Sequence, residues 1–303
     1  MRPHVVSSPA GPSPDFDRSA VAAAFQPVWP WLYALWGGLW LLACLTGPWW
    51  LQVVGVELNA HGHTTLYAHG HPFIDARSWW GVPNTLDVLS NLPLLLAGGW
   101  GLVALARGCT DLSHTSWQAL RFVFAGLALA GLGSAWYHWM PSPATLVADR
   151  LGMAVIFAGV LTLAACEKLG YQAGRSVLWL SLTMGLAGAV LPWSHDNPMP
   201  WVVLQFGGMV AVALFALRPA LPDARGFRLG LLVLIYGLAK LLEWQDASLY
   251  HWTGGLVAGH SLKHLVAALA VWPLLSALRS SGKMQNTKSP CPVFAQQQEE
   301  NRP

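Results

Sequence analysis

Long apolar runs separated by short polar connections dominate the chain. The first, from about Trp31 to Val54, carries no charge, and charge next appears at Glu57. Roughly 20 apolar residues, rising about 1.5 Å each, cross a bilayer core about 30 Å thick. This run is long enough to span, with Pro48 expected to kink it near its end. Seven further apolar blocks follow, at about 85–106, 119–138, 147–167, 174–191, 200–217, 227–243 and 254–278. The pattern predicts an all-α membrane protein of about eight spans. It divides the chain into an N-terminal tail over 1–28, a first transmembrane helix within 29–54, an external loop over 55–84, a seven-helix domain over 85–278 and a C-terminal tail over 279–303. Both tails are polar and are expected to be disordered.

Composition strengthens the membrane reading. Hydrophobic residues make up 54% of the chain and charged residues 10%, against about 25% charged in soluble domains. That is too little charge for a water-facing surface. The net charge of +3 is spread over single Lys and Arg residues, so no basic stripe suggests a nucleic-acid partner. No obligate protein partner is evident. The 30 glycines permit close helix packing, and the 18 tryptophans suit lipid–water interfaces. Trp49, Trp50, Trp79, Trp80, Trp136, Trp139, Trp201 and Trp252 fall near one set of helix ends and read as an aromatic belt. The four cysteines, Cys44, Cys109, Cys166 and Cys291, form no CxxC pair, which argues against a disulfide framework or a zinc–thiolate site. The first 25 residues lack the basic-then-apolar pattern of a cleaved signal peptide.

Charge also orients the spans. Alternate connections hold Arg107 and Arg121, then Lys168 and Arg175, then Arg218, Arg225 and Arg228, and the C-terminal side adds Arg279, Lys283 and Lys288. The opposite connections hold Arg77 and Arg150, with none in 192–199 or 244–253. By the positive-inside rule both termini are cytoplasmic, and a bacterial inner membrane is the expected location.

Within this frame, polar residues converge on one face of the membrane. Ser134 and His138 are one helical turn apart at the end of the third block, and Asp149 opens the fourth. His260 and His264, also one turn apart, lie early in the last block, with His260 expected roughly 9 Å deep if the helix starts at Gly254. Two histidines one turn apart make a natural metal pair. Three imidazoles with an open fourth position suit catalytic zinc, which polarises carbonyls and acidifies water. Asp149 would take a proton and Ser134 would donate to an oxyanion, a set suited to hydrolysis of an amide or ester. A lone intramembrane histidine can simply bond a neighbouring helix, and a histidine pair can ligate haem. The accompanying carboxylate and hydroxyl favour the hydrolytic metal site, since intramembrane polar groups are costly.

These residues carry a resemblance. Ser134-Ala-Trp-Tyr-His138, Asp149 eleven residues on, and His260-Ser-Leu-Lys-His264 resemble the motifs of the alkaline ceramidase family. That family lies within a wider group of seven-helix membrane hydrolases that includes adiponectin-receptor-like proteins. The stretch Asn84 to Asn91, with its Ser90–Asn91 pair, looks like the family's first-helix pattern. The resemblance covers roughly 84–278 and implies a seven-transmembrane-helix ceramidase-like bundle, here with one extra N-terminal helix. It implies zinc on His138, His260 and His264, and catalysis by Ser134 and Asp149. The reaction implied is cleavage of ceramide, or a related N-acyl lipid drawn from the membrane, to a sphingoid base and a fatty acid. The acidic calcium-binding stretch of the eukaryotic enzymes is not matched: Asp75 is present, but Asn84 stands where a glutamate is expected, so calcium is not carried over. From another class, a seven-helix receptor or lipid sensor with a structural metal also fits.

Other features are weaker. His61, His63, His69 and His71 form a cluster that suits a surface metal or a plain polar hairpin. Lys240, Glu243 and Asp246 read as interfacial charges, with Glu243 placed to pair with Lys240. No phosphate loop, serine elbow or HExxH motif occurs.

Overall fold

The computed structural model describes residues 29–53, 73–107, 112–195, 197–222 and 224–281. Most of both tails, the 61–71 histidines, Cys109 and Cys291 lie outside the described residues. Among those described there are eleven helices and no strand. They are α1 (Trp29–Val53), α2 (Thr85–Leu89), α3 (Leu92–Arg107), α4 (His114–Trp139), α5 (Pro143–Leu169) and α6 (Tyr171–His195). Then come α7 (Met199–Ala216), α8 (Leu229–Trp244), α9 (Asp246–Trp252), α10 (Gly259–Ala268) and α11 (Val271–Ser281).

Among the described residues the protein is an all-α bundle with seven helices long and apolar enough to cross a membrane. Two of these are composite: α2 with α3 spans Thr85–Arg107, and α10 with α11 spans Gly259–Leu278. The block predicted at 227–243 forms α8, whose 16 residues reach only about 24 Å. The bundle wears its apolar side chains outward as well as inward. Leu35, Leu96, Leu132, Val210 and Leu234 are all exposed, as a lipid-facing surface requires.

Helices α4 and α5 begin where local chemistry starts them. The Ser113 hydroxyl accepts from the Ser116 N–H, and Ser142 forms a capping box with Thr145 beside Pro143 at the first turn. The two helices then pack with almost no intervening side chain. A Cβ at Gly133 would overlap the Ala148 carbonyl, and one at Gly152 would overlap the Ala130 backbone. This small-residue packing brings Ser134 and His138 against the start of α5. Leu120, Phe124, Leu161 and Leu163 fill the centre behind it.

Helix α1 packs along α7, with Trp36 Nε1 donating to the Val203 carbonyl and Trp40 buried. Pro48 inside α1 has no N–H to offer the Cys44 carbonyl one turn back. Asn197 supplies the missing donor: its Nδ2 reaches the Ala43 and Cys44 carbonyls at 2.9 and 3.0 Å. Gly47 leaves room for that side chain.

At the end of the bundle away from the histidines, Glu167 accepts from the backbone N–H groups of Arg225, Gly226 and Phe227. Lys168 Nζ donates to the Arg218 carbonyl. The two charged residues thus pin the connection before α8.

Candidate metal and catalytic site

The three histidines meet. His138 at the end of α4, and His260 and His264 on α10, are all buried, and one ring nitrogen from each lies within 4.8 Å of the others. His138 Nε2 and His260 Nε2 are 3.2 Å apart. The cluster is able to coordinate a metal ion.

The surroundings hold one imidazole and two backbones of the cluster. The Ser90 hydroxyl donates to the Asp87 carbonyl at 3.0 Å and lies 2.8 Å from His264 Nδ1. With its one hydrogen so used, Ser90 Oγ accepts from Nδ1–H, which leaves Nε2 of His264 as the lone-pair donor toward the cluster. Asn84, in the left-handed region at φ 46°, donates through Nδ2 to the His138 carbonyl at 2.9 Å. Asp246 at the start of α9 accepts from the His260 backbone N–H at 2.7 Å. Burial raises the Asp246 carboxyl above its ordinary range, and the His260 N–H opposes that. Gly259 allows this contact, because a Cβ there would overlap the Leu242 carbonyl.

The last apolar block starts later than its sequence suggests. Residues 254–258 are not helical: Gly254 and Gly255 sit at φ 64° and 79°, and Thr253 Oγ1 bonds across the turn to the Val257 carbonyl. Helix α10 begins at Gly259, so His260 lies in its first turn rather than a turn and a half down it.

Ser134 and Asp149 are also together. The Ser134 side chain lies beside the Asp149 carboxylate, with Ser134 buried and Asp149 partly so. Spacing along the chain assigns them separate duties, whereas the fold couples them. Lys263, between the two histidines of α10, contributes a positive charge near Asp149 and is ion-paired to Glu243 at 2.5 Å. Glu243 also pairs with Lys240. The predicted Lys240–Glu243 contact therefore exists, but within a three-charge group that ties α8 to α10.

A short segment ahead of α2 roofs the cluster. The Phe73 ring lies 4.7 Å from the His138 ring and 5.9 Å from the His260 ring, edge-on to both. Arg77 holds both oxygens of the buried Asp75 at 2.7 Å and reaches the Leu256 carbonyl. Burial pushes the Asp75 carboxyl up, but the hydrogen bonds and charge of Arg77 outweigh it and hold it below the ordinary carboxylate range. Trp201 departs from the aromatic belt: it is buried and packs under the Arg150 guanidinium at 5.6 Å.

Comparison with protein-family models, with curated proteins and with solved structures gave no match. What stands is a multi-span helical membrane protein with a buried three-histidine cluster suited to a divalent cation.

Proposed function

We propose that the cluster is a zinc site, and that the protein is a membrane hydrolase cleaving the amide bond of ceramide or a related N-acyl lipid. The observation that carries this reading is the meeting of three buried imidazoles, with Ser134 one turn away on α4 and the Asp149 carboxylate beside it near the start of α5. The donor set fits zinc: three neutral nitrogens, with the His264 tautomer set by Ser90. His138, His260 and His264 would hold it. When bound, the metal supplies Lewis-acid polarisation of a carbonyl and acidification of water.

The chain's own residues do the rest. Asp149 takes the proton of the attacking water. The Ser134 hydroxyl turns from the carboxylate to the developing oxyanion. Phe73 keeps bulk water off the histidines, and the acyl tails stay among the apolar helix faces. The region 85–278 is the catalytic unit in this reading, resembling the alkaline ceramidases, and α1 is an addition to it. Both termini are cytoplasmic by the Lys and Arg imbalance, with the shorter α8 crossing as the eighth span. External labelling of engineered cysteines tests this: labelling in 218–226 and none in 55–84 contradicts it.

The histidines are tested by metal content. His138→Ala, His260→Ala and His264→Ala should each lose most bound zinc, since two ligands do not make the site. Full zinc in any pure, folded variant removes that histidine from the set. A zinc-loaded wild type that releases no fatty acid from a broad N-acyl lipid panel assigns the site to a receptor or lipid sensor instead.

A further inference from the structure

Asp87 is a membrane-buried carboxylate that the proposed reaction does not use. It lies on α2, is 1% exposed, and sits in a helix pair apolar enough to span. Its Oδ1 accepts from the Ser261 hydroxyl at 2.6 Å. Its backbone carbonyl accepts from Ser90 Oγ at 3.0 Å and from Asn91 Nδ2 at 2.8 Å. Its Oδ2 is buried with no hydrogen-bond partner among the described residues. Leaving a buried polar atom unmet costs about 1–3 kcal/mol, and carboxylates within a membrane are expensive in themselves. An apolar residue at this place would be cheaper for the fold.

What the carboxylate holds explains its retention. Ser261 follows His260, and Ser90 is the hydroxyl that fixes His264 Nδ1. Both grips close on one turn of α10, one from the Asp87 side chain and one through the Asp87 carbonyl. We propose that Asp87 is a positioning residue: it clamps the turn bearing His260 and His264 so that both imidazoles face the metal. This rests on the zinc-site part of the proposed function and not on the identity of the substrate. Outer groups that orient ligands are worth about 10–100-fold in metal affinity.

The test uses the purified full-length protein, with zinc affinity measured by competition against a chromophoric chelator and the visible spectrum recorded after cobalt loading. Asp87→Leu removes a buried polar group, so it does not cost the fold a membrane helix. It should weaken zinc binding about 10–100-fold and alter the cobalt band. Ser261→Ala removes only the hydroxyl on the other side of the same bond and should do the same. Asp87→Asn keeps an acceptor for Ser261 and should stay close to wild type in both readouts. A merely structural role would lower the yield of folded protein without changing the cobalt band of what folds. Wild-type affinity and spectrum in Asp87→Leu or Ser261→Ala overturn the clamp alone. A wild type that takes up no zinc overturns the metal reading beneath it, and the two failures are told apart by that one control.

Discussion

The docking of α1 includes an exchange of hydrogen-bond donors at Pro48, and that makes it measurable. Pro48 deprives the Cys44 carbonyl of its helical partner, and Asn197 Nδ2 replaces it while also reaching Ala43. Water is not available in the bilayer core to satisfy such a carbonyl. Asn197→Ala loses two interhelical hydrogen bonds, worth about 0.6 kcal/mol each on average in membrane proteins. It also leaves Cys44 unmet, at about 1–3 kcal/mol. The sum is about 2–4 kcal/mol. Pro48→Ala alone should be near neutral, because Asn197 already serves Cys44. In the double variant the backbone N–H restored by Pro48→Ala bonds the Cys44 carbonyl within α1. The penalty of the unmet carbonyl then disappears, and about 1–3 kcal/mol is recovered. Reversible unfolding in mixed micelles, run on all four proteins, gives the coupling energy directly. Additivity of the two changes within about 0.5 kcal/mol refutes the donor exchange.

Three other outcomes follow from the site. Asp149→Asn should keep zinc and lose hydrolysis, and Ser134→Ala should lose about 3–4 kcal/mol of transition-state stabilisation. Because the two lie side by side, the double variant should be little worse than Asp149→Asn; multiplicative losses contradict a coupled pair. Phe73→Ala should let a hydrophilic chelator strip zinc faster than from wild type, and equal stripping rates show that Phe73 does not roof the metal. Arg77 lowers the Asp75 carboxyl, so their clip contributes stability above the ordinary aspartate value of about 3.9. That contribution is lost as pH falls through the lower folded value. Asp75→Asn should therefore show a flatter acid limb of thermal stability, and identical limbs contradict the clip.

The helices were legible because a bilayer imposes length and apolarity on each one. The three histidines were legible because the i,i+4 spacing of His260 and His264, and the placement of His138 at the end of its block, survive in any helical bundle. The late start of α10 was not, because Gly254 and Gly255 look as apolar as a helix start while adopting positive φ. Asp87 and Ser261 were hidden for another reason. Neither belongs to a spaced motif, the two are 174 positions apart, and only the packing of α2 on α10 joins them. Asp87 did leave a trace, as the one acid inside the block at 85–106. Phe73 left none, since an aromatic in a polar loop has no period to betray what it covers. The nearness of Ser134 to Asp149 was half visible: spacing put both at one face, but bringing them side by side needed the glycine-mediated approach of α4 and α5.

The most direct test measures metal and product on one purified sample. Zinc should be present at about one per chain, identified by its absorption edge, and fatty acid should be released from ceramide or another N-acyl lipid. Release should stop on chelation and return with zinc. One zinc per chain with no fatty acid from any lipid offered, or turnover that persists after the metal is removed, contradicts a zinc-dependent amidohydrolase.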